Sequence, residues 1–477
     1  MTSISYNPDE IIESIKKKKI PRYPHFDAPV GVKKFASKLK NPDYIASHPF
    51  WPLIYFNKNF TKFHSKHGKK PKDRKLCYAS YHDRLVYQYY AEITNRYYNE
   101  YVIQNNIEDS PIAYRTNLGQ SNIDFAKKAF DYIREANETY IIVGDFKSFF
   151  DSLDHKYLKQ MLCQLFNVKQ LPQDWYKVFK SITQYSECEE KIIFNYLKRK
   201  DPTLTCTQFK KLPRVFNIQE FKEFKKSVTF IDGKETSPIV KHQETYGIPQ
   251  GTPISAVWAN VYMLNFDKNI RNLINLVNGY YMRYSDDFII ILPNCTQEVF
   301  KQVYESLSAH IDATPGLKIE SNKTGLHLYT GNTIKRVIYT NGQITLSHEL
   351  DIVDYLGFTF NGTDINLRPK TISKYHYRTR RKAKTVAIKQ KLKGRQIKTE
   401  LNKLYALYAI SPNTTKEKHQ NFHSYFRRTQ KKFKDDNFAT KLKNPFVRIR
   451  RLLNTDWQKK KVERMKKLRE NRRKKQI

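Results

Sequence analysis

The sequence predicts an α+β protein that ends in a basic α-helical C-terminal region. Long segments repeat apolar residues at spacings of three and four, as helices with one buried face do. Short runs rich in β-branched and aromatic residues stand between them, and beyond about residue 370 the chain turns into long charged helical stretches.

Taken in order, residues 1–70 form a basic N-terminal extension. Its first 45 residues include "IKKKKIPRYPHF" and read as a leading arm of short helices stopped by Pro21 and Pro24. A helix follows at about 80–105, and "SNIDFAKKAFDYIREAN" is another, opened by Ser121 or Asn122 as cap with Asp124 in its first turn. "TYIIVGDF" is a buried strand ending at Asp145. "KYLKQMLCQLF" and "DWYKVFKSITQY" are helical, and the less regular 190–245 stretch, with Pro202 and Pro213, reads as an insertion. Through the tight "GIPQGTP" segment the chain enters one long helical pattern, "TPISAVWANVYMLNFDKNIRNLI", and "GYYMRYSDDFIIILP" is then strand, turn, strand. A helix at 296–310 and strands around "GLKIE", "IKRVIYT" and "VDYLGFTF" precede charged helices broken near "SPN" at 411 and "NP" at 444. No internal repeat is visible.

At 477 residues and 39% hydrophobic content the chain can fill one large core or several smaller ones, which excludes peptide and disulfide-scaffold classes. Its net charge of +40, from 86 Lys and Arg against 46 Asp and Glu, points to a polyanionic partner, nucleic acid before an anionic membrane surface. With no long apolar run and no secretory leader, a cytoplasmic protein without a membrane partner is expected. The five cysteines show no close ligand pair and read as reduced thiols. The 33 tyrosines and 29 phenylalanines beside so much lysine suit stacking on single-stranded nucleic acid as well as ordinary core.

Asp145 ends one predicted strand, and Asp286 with Asp287 sits in a tight turn between two apolar strands. Two antiparallel strands laid beside the first would gather the three carboxylates, and burying them unpaired is costly enough that a divalent cation is the natural compensator. Two Mg²⁺ ions so held, with Mn²⁺ as a substitute, can activate a hydroxyl and stabilise a departing pyrophosphate. In "GIPQGTP", Gly247 and Gly251 permit close backbone approach, and Pro249 and Pro253 stiffen the turns.

"VGDFKSFFDSLDH" at 143–155, "GIPQGTPISAVWANVYMLNFD" at 247–267 and "YMRYSDDFII" at 281–290 resemble, in order, three palm motifs of reverse transcriptases. "LKIESNKTG" at 317–325 resembles the lysine-containing motif that follows, and "YLGF" at 355–358 the primer-grip hairpin. "RKLCYAS" at 74–80 and "AYRTNLGQS" at 113–121 are similar to fingers segments of the bacterial enzymes. The resemblance implies a right-hand polymerase with fingers at 71–140, palm at 141–360 and a thumb within the basic 361–477 region. It makes Asp145 and Asp286 the principal metal ligands, with Asp287 in support and Phe146 contributing its backbone carbonyl. Lys323 would assist the leaving triphosphate, and Arg74 and Arg115 would contact incoming phosphates. Gln250 would lie under the nascent base pair. Phe150, five positions after Asp145, would exclude a ribose 2′-hydroxyl and favour deoxynucleotides.

The basic C-terminal runs suit backbone contacts to nucleic acid, and three uses stay open: holding a dedicated structured noncoding RNA, building a homo-oligomer, or serving as a basic tail. No RNase H-like carboxylate set and no HNH-like cluster follows the palm, and the "VTG" and "NAxxH" segments of typical retrons are missing. The resemblance is therefore nearest to stand-alone bacterial defence-associated enzymes of the abortive-infection type, relatives of retron and group II intron reverse transcriptases. It implies an RNA-directed DNA polymerase working with dNTPs and a template-primer in antiphage defence. Untemplated or protein-primed DNA synthesis, RNA-dependent RNA synthesis and nonenzymatic RNA binding are the alternatives.

Overall fold

The structure, a computed structural model, describes residues 6–18, 21–64, 68–231, 233–392, 396–409, 421–434 and 444–457. Two compact units share the chain. The first draws on Met1–Leu118, Gly144–Ile290 and Thr296–Thr324, the second on Gly119–Val143, Ile291–Cys295 and Gly325–Ile477. Two strands, Glu138–Asp145 and Asp287–Pro293, each contribute residues to both units.

In the first unit the N-terminal segment opens with short helices, as expected, that pack on the fold. The Pro8–Lys16 helix, opened by the Asn7 side chain accepting from the Asp9 N–H, buries Ile11, Ile12 and Ile15 and packs on the long Tyr81–Gln104 helix. Lys16 and the Lys17 and Lys18 that follow it are exposed while three isoleucines at helical spacing anchor the helix, so the basic composition concealed an apolar stripe. A long antiparallel hairpin, Leu53–His64 with Gly68–Tyr78, is extended by Ser186–Glu189 and then Val240–Lys241. The 190–245 stretch, expected as an insertion, shares a core with this framework. Ile193, Phe209, Val215, Phe216 and Phe224 pack with Phe26, Ile54 and Cys188.

The predicted single helix after "GIPQGTP" is two, Ser255–Tyr262 and Leu264–Asn275. They are broken at Met263, whose φ of −92° and ψ of 8° leave the helical region while its N–H turns back to the Asn260 and Val261 carbonyls. "GLKIE" does not form a strand either. Only Ile319 bridges Phe146, with Lys147 N–H on the Lys318 carbonyl at 2.8 Å and Glu320 N–H on the Asp145 carbonyl at 2.8 Å. The regular strand comes later, at Gly325–Thr330.

In the second unit the Asn122–Arg134 helix takes Ser121, one of the two expected caps, as its N-cap, and Asp124 in its first turn completes a capping box. A sheet runs in the order Gln343–Leu350, Thr333–Thr340, Gly325–Thr330 and the Glu138–Val143 part of its strand, antiparallel throughout. "VDYLGFTF" folds as the hairpin Val353–Tyr355 with Phe358–Phe360, turned by Leu356 and Gly357 at φ of 47° and 92°. Helices Pro369–Leu392, Lys398–Tyr408 and Pro445–Leu453 meet over Ala383, Val386, Leu404, Ala409 and Ile449. The break expected at 411 and the basic run beyond Trp457 lie outside the described residues. All five cysteines are free.

Candidate active site

Asp145 ends a strand whose residues after Glu138 are all buried, and Gly144 makes its neighbour possible. A Cβ there would lie 2.2 Å from the Phe288 ring, so only glycine lets the two strands carrying the carboxylates close up at this point. On the other side, Tyr280–Tyr284 and Asp287–Pro293 form the predicted hairpin, turned by Ser285 at φ of 61°. The Phe146 N–H donates to the Asp286 carbonyl at 2.9 Å, which stitches the end of the Asp145 strand to this turn.

The carboxylates lie close enough to act on one another's charge. Burial, then the charges of Asp286 and Asp145 and a hydrogen bond with Asp145, push the Asp287 carboxyl up to about 7, against the pull of Lys323. Lys323, on the short turn Ser321–Lys323, makes an ion pair with Asp145. Burial first and the neighbouring carboxylates second disfavour the charged form, and the donors gathered here are hard oxygens, so their chemistry fits a divalent cation. Among the described residues no group of three or more His, Cys, Asp or Glu side chains is arranged to enclose a metal. Asp145 is engaged by lysine instead.

Phe146 is 1% exposed, its ring packed on Phe149, Phe266 and Phe288 at centroid distances of 5.9, 5.7 and 5.1 Å. Phe149 is core at 3% exposure, while Phe150 stays half-buried and meets Phe149 edge-on at 5.8 Å. The "GIPQGTP" loop is tied to this turn by Gly247 N–H on the Leu153 carbonyl at 2.8 Å and Ile248 N–H on the Phe150 carbonyl at 2.9 Å. At its far end the Gln250 carbonyl accepts the Cys77 N–H at 2.7 Å, and a Cβ on Gly251 would meet the Cys77 carbonyl oxygen at 2.3 Å. The loop therefore links the turn carrying Phe150 to the base of the long hairpin. Gln250 itself is half-buried.

The two arginines fall differently. Arg74 is exposed on the Gly68–Tyr78 strand, opposite Lys58. Arg115 is turned inward: it is 5% exposed, its Nε donates to Asn99 Oδ1 at 2.8 Å, and its Nη1 reaches the carbonyls of Glu108 and Pro111. Held at Nε and Nη1 by the protein's own acceptors, it braces the 108–115 loop. Its neighbour Tyr114 is the residue that reaches the site, donating from its hydroxyl to Ser285 Oγ at 3.0 Å.

Sequence reading also passed over Arg283. It is fully buried, paired in two bonds with Asp267 at 2.8 and 2.6 Å, and its Nη1 donates to the Ser285 carbonyl at 2.9 Å. The available signal was an arginine in an otherwise apolar strand, which needs a buried partner. Elsewhere in the first unit, a cavity of about 620 Å³ is lined by Tyr23, Tyr78, Arg22, Arg84, Lys210 and Gln88 among others.

Among the described residues no helix is long and apolar enough to cross a membrane. Residues 206–360 match the family model described as reverse transcriptase (RNA-dependent DNA polymerase), a span that includes Gln250, Asp286, Asp287 and Lys323 and begins after Asp145. No curated protein matches the chain. Among solved structures, the chain is similar to apo telomerase from Candida tropicalis truncated from its C-terminal domain, at 12% identity and a TM-score of 0.39, over 66% of this chain and 55% of that one. It is also similar to telomerase from Candida albicans in complex with the TWJ fragment of telomeric RNA, at 14% identity and a TM-score of 0.37, over 74% and 54%. The chain thus spans about half the length of these structures. Their low scores leave the family match as the informative comparison: the chain carries a reverse-transcriptase-like domain in residues 206–360.

Proposed function

We propose that this protein is an RNA-directed DNA polymerase that extends a 3′ end with deoxynucleotides, and that Asp145, Asp286 and Asp287 are its catalytic carboxylates. The observation that carries the reading is the meeting of two distant segments. The strand ending in Asp145 is bonded through Phe146 to the Asp286 turn, and burial together with the charges of Asp286 and Asp145 raises Asp287. Two Mg²⁺ ions, or Mn²⁺, held by these carboxylates and the Phe146 carbonyl would supply activation of the 3′ hydroxyl and charge neutralisation on the phosphates.

The remaining work falls to the chain. The 3′ hydroxyl gives its proton to solvent as its oxygen bonds to the α-phosphorus and the bond to pyrophosphate breaks, and Lys323 supplies hydrogen bonding and a proton to the departing oxygen. Gln250, on a loop fixed at both ends, supports the nascent base pair, and Phe150 occupies the space a 2′-hydroxyl would need. Arg74, exposed on the hairpin, is assigned to phosphates, whereas Arg115 is not. The partners are dNTPs, a template-primer and a structured noncoding RNA used as template or scaffold. The biological role is antiphage defence in the manner of stand-alone bacterial enzymes, acting in the cytoplasm; this rests on the motif resemblance.

The test is incorporation of dNTPs in parallel with NTPs by purified protein, with sequencing of copurified nucleic acid and of the DNA made. Asp286→Ala should abolish synthesis with RNA binding retained. Equal product from wild type and variant would reject the assignment.

A further inference from the structure

The turn that presents Asp286 and Asp287 is held in a conformation that its own residues resist. Ser285 stands at φ of 61° and Tyr114, which touches it, at φ of 62°. Side chains with a Cβ rarely adopt that region, and such residues persist where the surroundings over-determine them.

The surroundings here form a closed network around Ser285. Its carbonyl accepts from Arg283 Nη1, and Arg283 is fixed in turn by Asp267 and by Asn260 Oδ1 at 3.4 Å. Asn260 Nδ2 donates to the Ala113 carbonyl at 2.8 Å, which brings the network to the residue before Tyr114. The same segment is laced to the strand by Arg283 N–H on the Ser110 carbonyl at 2.8 Å and Ile112 N–H on the Arg283 carbonyl at 3.0 Å. The Tyr114 hydroxyl then closes the circuit on the Ser285 side chain.

Ser285 is thereby gripped at both main chain and side chain, one residue before Asp286. A rotation about its backbone would swing the Asp286 carboxylate away from Asp145. Tyr114 is 40% exposed, so its ring is not there to fill core.

We propose that Tyr114 is a positioning residue for the catalytic turn: its hydroxyl, acting with the Arg283 grip on the Ser285 carbonyl, holds Ser285 left-handed and so aims Asp286. The inference rests on the polymerase reading for its catalytic consequence but not for the positioning itself.

Two measurements on the full chain test it. In hydrogen–deuterium exchange, Tyr114→Phe should exchange faster across residues 283–287, with the thermal midpoint and the other segments unchanged. In steady-state incorporation, Tyr114→Phe should lose about tenfold in kcat with KM for dNTP within about twofold, the pattern of a lost transition-state alignment. Ser285→Ala should give a similar loss, and the double variant no more than either alone, because both remove one interaction. Adding Ser285→Gly to Tyr114→Phe should recover kcat, since glycine takes a positive φ without the hydroxyl's help.

Unchanged exchange in Tyr114→Phe overturns the proposal whatever the activity. So do a wild-type kcat or additive losses in the double variant. Faster exchange in a protein whose wild type makes no DNA supports the positioning role and rejects the polymerase reading alone.

Discussion

Phe150 and Asp287 are the two residues whose surroundings make the sharpest demands. Phe150 is half-buried against Phe149, with its carbonyl tied to Ile248, so its ring has the backed position that the proposed role against the sugar requires. Truncating it removes a wall and leaves the core ring of Phe149 in place. Phe150→Ala should therefore raise ribonucleotide incorporation relative to deoxynucleotide by about tenfold or more, in line with what a well-placed steric or polar contact contributes to discrimination. Unchanged sugar discrimination in a purified incorporation assay would return Phe150 to ordinary packing. Asp287 makes a statement about pH. A carboxyl whose value rises from 3.8 to about 7 on folding keeps a proton that the unfolded chain has already lost. With the unfolded state binding fewer protons, stability in metal-free solution falls as pH climbs through that window. In chelator, Asp287→Asn should thus be little different from wild type at pH 4 and more stable than it at pH 8, read from urea midpoints. A difference that does not vary with pH would show that the three carboxylates do not share a site.

Elements explain why some of this was legible in the sequence and some was not. The Asn122–Arg134 helix and the Glu138–Asp145 strand follow from local signals, a capping box and a short β-branched run, and they occur where those signals lie. The hairpin over 280–293 follows equally from two apolar runs around a polar turn. The break at Met263, the absence of a strand at "GLKIE" and the burial of Ile11, Ile12 and Ile15 depend on what each segment meets in three dimensions, which no local period records. The inward turn of Arg115 was hidden for a related reason. Its basic surroundings suggested a phosphate, but the acceptors that hold it are Asn99 and two backbone carbonyls of its own loop. The Asp267–Arg283 pair is the element-scale counterpart, since it joins the Leu264–Asn275 helix to the Tyr280–Tyr284 strand with both side chains at 0% exposure. Asp267→Ala would leave a buried guanidinium uncompensated and should destabilise by about 3–5 kcal/mol in urea denaturation. Asp267→Leu with Arg283→Met should regain much of that stability, because the charge is gone. It should still incorporate nucleotides slowly, because the Ser285 carbonyl has lost its donor. Recovery of both would make the pair a matter of stability only.

For the molecule as a whole the governing quantity is a net charge of +40. That excess is greater than folding or solubility asks for, and a polymerase has a use for it in holding nucleic acid without reading its sequence. The Pro369–Leu392 helix is one place where the charge is built into an ordered element: Tyr375, Thr379, Ala383 and Val386 line its buried side, while Arg378 and Arg381 are exposed, one turn apart. Burial on one side fixes the helix, so the two guanidinium groups are presented on a rigid support rather than on a flexible tail. Each phosphate contact removed lowers the dependence of log affinity on log salt by about 0.7 for single strands and 0.9 for duplex. If both arginines lie on phosphates, Arg378→Gln with Arg381→Gln should weaken binding to unrelated RNA sequences about equally. It should also reduce the magnitude of the salt slope by roughly 1.5, measured by fluorescence anisotropy across a salt series. The thermal midpoint should not move, since neither side chain is in the core. A variant that binds as wild type with an unchanged slope would place the nucleic acid elsewhere and leave these arginines as solvated surface. A loss confined to one RNA sequence would instead assign them to specific recognition.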